Sequence, residues 1–202
     1  GHYFNAFAHG CDLSIQAATK YIGGHSDVLM GTVTCTAACF QQFDTTYEIL
    51  GQCVSGDEAA LALRGLRTMD VRMERHMKNA ITVAEWLKAR PEVARVLYPA
   101  LAGDPGHELW KRDFSGAAGL FTIILKPVTQ KAVAALVDGL ELFGIGYSWG
   151  GYESLVVPTH PVRTATRWQP EGPALRLQIG LEDPADLIAD LAAGFKRLQA
   201  SA

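Results

Sequence analysis

The sequence has no excess of basic residues. Its 18 lysines and arginines are outnumbered by 21 aspartates and glutamates, which gives a formal net charge of -3 at pH 7. Nucleic-acid binding depends on concentrated positive charge facing the phosphate backbone, and no lysine and arginine cluster occurs here. The composition therefore argues against nucleic acid as a partner and favours small molecules.

Long hydrophobic runs are also missing. No stretch approaches the roughly 18 to 20 apolar residues of a membrane span, and the start of the chain lacks the basic and then apolar pattern of a signal peptide. We therefore expect no membrane partner and a cytoplasmic location. Hydrophobic residues nevertheless make up 49% of the 202 residues, enough to fill the core of one large or two small domains.

Cysteine is scarce and confined to the first third of the chain, at Cys11, Cys35, Cys39 and Cys53. A chain of this size and apolar content does not need disulfides, so reduced thiols are expected. Cys35 and Cys39 are four residues apart and could share a metal with a histidine. Because a second matching pair is lacking, buried free thiols are the better interpretation, and no metal site is predicted.

What is present predicts an α/β fold. Apolar periodicity and caps predict helices, which we place at residues 35–50, 57–66, 69–88, 106–113, 129–140 and 184–198. Apolar or β-branched runs predict strands, which we place at residues 12–18, 28–34, 93–98, 119–125 and 175–179. Ser55 and Glu58 have the spacing of a capping box. The arginines between residues 57 and 88 that are expected to face solvent or to pair with carboxylates are Arg64, Arg67, Arg72 and Arg75.

The start of the chain is abrupt. Gly1-His2-Tyr3 is interpreted as a cloning remnant joined to the native chain near Phe4. The residues that follow show no helix cap and lead directly into the first predicted strand. We therefore expect the chain to begin inside a domain, with a domain boundary further along, inside the long helix.

The most unusual stretch runs from Asp12 to Asp27, through Lys20 and into Gly23-Gly24. We interpret residues 12–18 as a buried strand, which places Lys20 at its end beside hydroxyls and glycines. Desolvation lowers the pKa of a lysine amine from about 10.4, and such an amine can act as a Schiff-base nucleophile. Taken alone, a solvated loop lysine is the more common case.

Two later stretches also break the regular pattern. Residues 147–155 mix aromatics, glycines and hydroxyls without a period and are predicted to form a loop, in which Trp149 either packs at a glycine bend or belongs to a binding surface. Arg176 interrupts the apolar alternation of residues 175–179. It either faces solvent or offers a bidentate guanidinium to a carboxylate, and the residues alone leave both alternatives open.

All three stretches resemble the family of pyridoxal phosphate (PLP)-dependent enzymes of Cys/Met metabolism. The family's lysine signature is matched at Asp12, Leu13, Ala17, Ala18, Thr19, Lys20, Tyr21, Ile22, Gly24, His25 and Ser26. The Ser-x-Gly-Gly-x-Glu-Ser-Leu loop beginning at Ser148 and the Leu-Arg-Leu-Gln-Ile-Gly-Leu-Glu-Asp strand beginning at Leu175 follow in the family's order. The similarity extends from about Phe4 to Leu198.

This resemblance implies an aminotransferase-like fold of type I. Residues 1 to about 70 would be the C-terminal part of the large PLP-binding domain, and residues 71–202 a small α/β domain with a short sheet covered by helices. The implied cofactor is pyridoxal 5'-phosphate, attached to Lys20. Thr19 is available to bind its phosphate, since several members of the family carry serine where this chain has Ala17. Ser148, Trp149 and Arg176 would hold the α-carboxylate of an amino-acid substrate.

The implied activity is that of a carbon-sulfur lyase of methionine biosynthesis, the β-elimination of cystathionine to homocysteine, pyruvate and ammonia. Ala17 and the Ser148-Trp149 pair favour β-elimination, and a γ-lyase or γ-synthase of the same family is the alternative. A non-catalytic oligomerisation fragment is the third hypothesis. Family members are much longer, and the half that provides the phosphate loop and the aspartate on the pyridine nitrogen should precede Phe4. We therefore expect this chain to be inactive alone and the full-length protein to be a homo-oligomer, a dimer or tetramer.

Overall fold

The computed structural model describes residues 1–201. The first part of the chain holds a 3-10 helix, an antiparallel hairpin and two helices, namely the 3-10 helix Ala6–His9, β1 (Leu13–Ala17), β2 (Gly31–Cys35), α1 (Ala37–Leu50) and α2 (Gly56–Leu66). Each of the predicted strands and helices in this part is found. α1 ends at Gly51, whose φ of 62° is left-handed, a conformation that glycine adopts without steric cost.

The hairpin is far more exposed than its sequence predicts. The interpretation of residues 12–18 as a buried strand is wrong, because Ile15 on β1 is 74% exposed and Leu13 is also exposed. The sheet consists of β1 and β2 only, and within residues 1–201 no third strand pairs with it. An apolar strand is buried only where another element covers it, and that depends on the neighbours rather than on the strand's own residues.

The remaining strands form one five-stranded sheet. They are β3 (Val93–Leu97), β4 (Leu120–Leu125), β5 (Gly144–Ile145), β6 (Leu155–Thr159) and β7 (Ala174–Gln178). The order is β3-β4-β7-β6-β5, and all neighbouring pairs are antiparallel except β5 with β6. The sequence did not predict β5 or β6. Leu155 to Val157 is apolar and β-branched, but Pro158 argues against a strand in the middle of a sheet.

Four helices complete this part: α3 (Met69–Lys88), α4 (His107–Asp113), α5 (Gln130–Val137) and α6 (Pro184–Ala200). The core lies between the sheet and α3, α5 and α6. On β4, Phe121 and Ile123 alternate into this core, whereas on α6 Leu187, Leu191 and Phe195 face it at four-residue spacing. The predicted short sheet covered by helices is confirmed, and full burial of each such side chain contributes about 1.5–3 kcal/mol.

Predicted caps begin three of the helices. The Ser55 hydroxyl accepts a hydrogen bond from the Glu58 amide at 3.1 Å, as the capping-box spacing predicts. Thr129 accepts from Ala132, and Asp183 accepts from the amide two residues on, ahead of a proline in the first turn of α6. α5 stops at Val137, three residues earlier than predicted.

Three other predictions concern the chain as a whole. α3 contacts α2, β3 and α6. The domain boundary near residue 70 stays a prediction. Residue 202 of the predicted second domain lies outside the described residues. The four cysteines are free thiols, but the interpretation of them as buried is wrong, because Cys35 and Cys39 are half-buried and the other two are exposed. Among residues 1–201 there is no helix with the length and apolar character that crossing a bilayer requires.

Candidate active site

Lys20 lies in a tight turn directly after β1. The Lys20 amide donates to the Ala17 carbonyl at 3.0 Å, and the Gly24 amide donates to the Lys20 carbonyl at 2.8 Å. Gly24 has a φ of 72°, which lets the turn reverse direction without steric cost. The lysine therefore sits at a strand end, where the sequence predicts it.

The Lys20 amine contacts two residues of the predicted binding loop. Its Nζ donates a hydrogen bond to the Ser148 Oγ at 3.0 Å and lies 4.4 Å from the centre of the Trp149 ring. A cation over an indole is attracted by the negative face of the ring. In the described part of the chain, no carboxylate forms an ion pair with Lys20, so the amine is available for chemistry.

Arg176 approaches the same tryptophan. Its guanidinium carbon lies 5.7 Å from the centre of the Trp149 ring, and its Nη2 donates to the Tyr147 carbonyl at 2.6 Å. Arg176 is half-buried on β7, where its neighbours Leu175 and Leu177 face the core. The structure thus brings Lys20, Ser148, Trp149 and Arg176 together, although Lys20 and Arg176 are far apart in the sequence.

Gly150 lets the loop of residues 147–155 come close to the turn of residues 18–24, which we call the lysine turn. Its φ is 83°, and a Cβ built on it would lie 2.7 Å from the Tyr21 nitrogen and 2.9 Å from the Lys20 carbonyl carbon. No other residue fits at that distance without moving the backbone. The predicted glycine bend is therefore present and brings the loop against the lysine turn, whereas a binding role for Trp149 stays a prediction.

A hydrogen bond between Ser26 and Glu153 also joins the segment just after the lysine turn to the loop of residues 147–155. The Ser26 hydroxyl donates to Glu153 Oε1 at 2.7 Å, and Ser26 itself has a φ of 59°. The other carboxylate oxygen of Glu153 is buried without a hydrogen-bond partner among the described residues. Both residues occur in the matched motifs, but sequence reasoning gave neither a role.

The model of the family described as Cys/Met metabolism PLP-dependent enzyme matches residues 1–196. The chain belongs to this family.

Its relatives carry several reaction names. The chain is 49% identical over 204 residues to a cystathionine beta-lyase, MetC, of Escherichia coli K12, a match that covers 98% of this chain and 52% of the relative. It is 40% identical over 199 residues to an L-alanine/L-glutamate racemase of Wolbachia pipientis, covering 96% of this chain and 49% of the relative. The chain spans about half the length of the curated relatives it matches.

A solved structure agrees with this fold. The crystal structure of cystathionine gamma synthase from Xanthomonas oryzae, in complex with cystathionine, is 38% identical and superposes with a TM-score of 0.88. The superposition covers 99% of this chain and 54% of that structure. The α/β fold is therefore that of the PLP-dependent cystathionine enzymes.

A cavity of about 680 Å³ lies beside Lys20 and Trp149. Its walls are mostly apolar and include Tyr98, Trp110 and Phe114. This volume is within the range of ligand and cofactor sites, and the unpaired amine on its wall suits the aldehyde of PLP, the cofactor of the family. When bound, PLP supplies an electron sink for the carbanion that forms at the substrate Cα. Ser148 and Arg176 do not line this cavity.

Thr19 lies next to the lysine but its hydroxyl is engaged. Its Oγ1 donates to the Met30 carbonyl at 3.2 Å and accepts from the Met30 amide at 2.9 Å. These bonds tie the end of β1 to the residue before β2. A role in phosphate binding stays a prediction for Thr19, and it would require the hydroxyl to redirect its proton.

Tyr21 anchors the lysine turn to the five-stranded sheet. Its phenol donates to Gln178 Oε1 and accepts from the Gly119 amide, both at 3.1 Å. Burial raises the pKa of Tyr21, so the phenol stays protonated and can donate. Gln178 lies two residues beyond Arg176, on the same face of β7. The alternation of residues 175–179 is the signal that could have identified it.

The prediction that all four arginines near α3 face solvent or pair with carboxylates is wrong for Arg72. Arg64, Arg67 and Arg75 are exposed, whereas Arg72 is only 6% exposed. Burial lowers the pKa of the Arg72 guanidinium from its usual range. The helical periodicity places Arg72 on a polar face of α3. The lysine turn covers that face, and its carbonyl oxygens accept hydrogen bonds from the Arg72 guanidinium.

Proposed function

We propose that this chain supplies the lysine and the carboxylate-binding residues of a PLP-dependent carbon-sulfur lyase that acts by β-elimination. The observation that carries the proposal is the cluster around Trp149, whose ring lies 4.4 Å from the Lys20 amine and 5.7 Å from the Arg176 guanidinium. A nucleophilic amine and a carboxylate-binding cation at one aromatic ring are the two groups that an amino-acid substrate needs.

Lys20 is proposed to act twice. Its amine would hold the cofactor at the aldehyde, and when free it would take the proton from the substrate Cα as general base. Ser148 accepts a hydrogen bond from this amine at 3.0 Å, which holds the nitrogen beside Trp149, a residue of the cavity wall. Thr19 is proposed to bind the cofactor phosphate.

Arg176, Ser148 and Trp149 are proposed to hold the substrate α-carboxylate. Arg176 uses one Nη2 hydrogen on the Tyr147 carbonyl, and a guanidinium has five N–H groups, so enough donors remain for a bidentate carboxylate. Fixing the carboxylate fixes the direction of the Cα–H bond relative to Lys20. Such orientation is worth several kcal/mol of the barrier.

The proposed substrate is cystathionine, because two relatives that are 49% identical to this chain carry the names cystathionine beta-lyase and putative cystathionine beta-lyase. Two alternatives use the same proton removal at Cα. A γ-lyase or γ-synthase is supported by the similarity to the Xanthomonas enzyme, and a racemase by the Wolbachia relative. The products separate them, since β-cleavage of cystathionine releases pyruvate, γ-cleavage releases 2-oxobutanoate, and racemisation releases neither.

The attachment of PLP to Lys20 can be tested on the chain itself. Incubation with PLP, borohydride reduction and peptide mass mapping should place a pyridoxyl group on Lys20 in preference to the other lysines. The variant K20A should lose this label, and K131A, which removes an exposed lysine on α5, should keep it. A folded wild-type chain labelled only at random lysines would overturn the proposal and favour a non-catalytic oligomerisation fragment.

We propose further that the 202-residue chain alone turns over poorly. The chemistry of PLP benefits from a carboxylate on the pyridine nitrogen. Among the described residues that line the cavity, Asp113 is the single carboxylate, and it is paired with Arg112 at 2.8 Å. Steady release of pyruvate from cystathionine by the purified chain with PLP would contradict this.

Self-association is also proposed. Large apolar side chains are exposed across the first 71 residues, among them Ile15, Leu29, Phe40 and Ile49. Apolar surface of this kind is typical of protein contacts. Sedimentation velocity should show a dimer or tetramer, and a purely monomeric chain at all concentrations would contradict the proposal.

A further inference from the structure

Arg72 is a buried cation without a counter-ion. It lies in the first turns of α3, is 6% exposed, and forms no ion pair with any carboxylate of residues 1–201. Removing a guanidinium from water is costly unless hydrogen bonds replace its hydration. A residue that carries this cost without a carboxylate partner must be held by other acceptors.

Those acceptors are backbone carbonyls of the lysine turn and of α2. Nη1 donates to the Tyr21 carbonyl at 2.9 Å, and Nη2 donates to the carbonyls of Ile22 at 3.2 Å and Gly65 at 2.7 Å. Nε donates to the Thr68 hydroxyl at 3.1 Å. The planar guanidinium thus spans the two residues that directly follow Lys20.

Two glycines make this contact possible. A Cβ at Gly24 would overlap the guanidinium of Arg72, and a Cβ at Gly65 would overlap the carbonyls of Ile22 and Gly23. The lysine turn and α2 therefore meet around the guanidinium at backbone distance. Such close approach is a common reason for glycine at a fixed position.

We infer that Arg72 is a positioning residue for Lys20, holding the Tyr21 and Ile22 carbonyls from one side while Gln178 holds the Tyr21 phenol from the other. Hydrogen bonds then hold the two residues after Lys20 through their carbonyls and through the Tyr21 phenol. The Lys20 amine is therefore already placed beside Ser148 and Trp149. Arg72 acts through the turn, with no hydrogen bond to the Lys20 side chain among those found in residues 1–201. The chemical consequence rests on the role proposed for Lys20.

The first test needs no cofactor. Amide hydrogen exchange reports local opening, and the Gly23 and Gly24 amides close the turn by donating to the Ala18 and Lys20 carbonyls. In R72Q these two amides should exchange at least about tenfold faster, because three charge-assisted bonds to carbonyls are lost. The amides of β4 and β7 should keep their rates. R67Q, which changes an exposed arginine nearby, should change neither group.

Two further variants keep the test decisive if R72Q does not fold. R72K keeps the charge but not the planar fork, so it should give an intermediate rate at the two glycine amides. T68V removes the acceptor of the Nε bond and the bond that this hydroxyl donates to the Gly65 carbonyl at 3.2 Å, and it should raise the same rates by a smaller factor. Unchanged exchange in the turn of R72K and T68V, together with a uniform rise elsewhere, would overturn the inference in favour of a merely structural arginine.

The second test measures the lysine. Borohydride trapping of PLP on Lys20, divided by labelling of the exposed Lys131 in the same sample, should fall about tenfold in R72Q and recover in part in R72K. Equal ratios in wild type and R72Q would overturn the positioning role and leave the proposed function intact. Absence of Lys20 labelling in the wild type would instead overturn the proposed function, while the exchange rates still decide the role of Arg72.

Discussion

The region before α3 and the region from α3 onward differ sharply in how they bury apolar side chains. In the first region, residues 1–68, Ile15, Leu29 and Ile49 are 74%, 79% and 78% exposed. In the second, residues 69–201, Leu187 and Phe195 are fully buried between the sheet and its helices. Secondary structure therefore forms in both regions from local signals, whereas a continuous core forms only where several elements of this chain surround it.

The candidate site lies where these two regions meet. Lys20 comes from the first region, and Ser148, Trp149 and Arg176 come from the second. Several contacts cross between them besides those of the lysine, among them Tyr21 with Gln178, Ser26 with Glu153 and the Tyr21 carbonyl with Arg72. Contacts from the well-packed second region therefore hold the lysine turn in place, although the lysine motif lies in the more exposed first region.

The largest expected effect tests the difference in packing. F195A removes a fully buried side chain that lies against Trp86, and it should lower the free energy of unfolding by about 3–5 kcal/mol. F40A removes a ring that is 56% exposed on α1 and should change it by less than about 0.5 kcal/mol. Urea denaturation measures both. Losses of equal size would show that the two regions are packed alike.

The second prediction tests the close approach between the regions. In G150A, an alanine must adopt the left-handed conformation of Gly150, which costs about 1–2 kcal/mol. Its Cβ also clashes with the Tyr21 nitrogen and the Lys20 carbonyl carbon. G103A is the matched control, because Gly103 has a φ of 88° and open space except for the Lys88 amine at 3.5 Å.

G150A should therefore be at least about 1 kcal/mol less stable than G103A, and only G150A should reduce borohydride labelling of Lys20. Thermal or urea unfolding gives the first quantity and mass mapping the second. Equal effects of the two variants would mean that the loop does not press on the lysine turn.

The third prediction concerns pH and a histidine behind the lysine turn. His76 is fully buried, its ring lies edge-on to Tyr21, and its Nδ1 is 2.7 Å from the Ile179 carbonyl. Burial lowers the pKa of His76, so the unfolded chain binds the proton first as the pH falls below about 6.5.

The contribution of His76 to the free energy of unfolding should thus be largest above that pH. On acidification it should fall by at most about 1.4 kcal/mol per pH unit for one proton, until His76 is protonated in the folded chain too. H76Q should remove this part of the slope. H160Q, which changes an exposed histidine, should retain it. Urea denaturation between about pH 7 and pH 5 measures the difference, and parallel profiles for wild type and H76Q would contradict the prediction.

The smallest effect concerns the bridge between the loops. A double-mutant cycle of S26A and E153A should give a coupling free energy of about 1 kcal/mol, since the hydroxyl donates to a carboxylate at 2.7 Å. The exposed Lys78 and Glu74 pair on α3 is the reference and should give about 0.3–0.5 kcal/mol. A coupling near zero for Ser26 and Glu153 would remove this contact from those that order the lysine turn.

Much of the fold was accessible from the sequence because its signals are local. The capping box at Ser55, the proline that starts α6 and the alternation on β4 each depend on residues within one or two turns. β6 was missed because Pro158 is unfavourable inside a strand taken alone. It is tolerated here in a strand whose outer neighbour, β5, pairs at only two residues.

The candidate site was accessible in part. Lys20, Ser148, Trp149 and Arg176 stand in motifs, and the structure brings all four together. Arg72, Tyr21 and Gln178 were missed because their contacts join segments that are distant in the sequence. A helix periodicity cannot tell a solvated arginine from one that a neighbouring turn covers.

The sequence by itself determined where most of the strands and helices lie and which amine and guanidinium stand out, because these depend on propensities and spacings within a few residues. The tertiary structure alone decided that β1 stays exposed, that Arg72 is buried, and that Trp149 lies beside both cations. Tyr21 and Gln178 are 157 residues apart in the chain. Burial and hydrogen-bond partners depend on which distant segments meet, and no local pattern records that meeting.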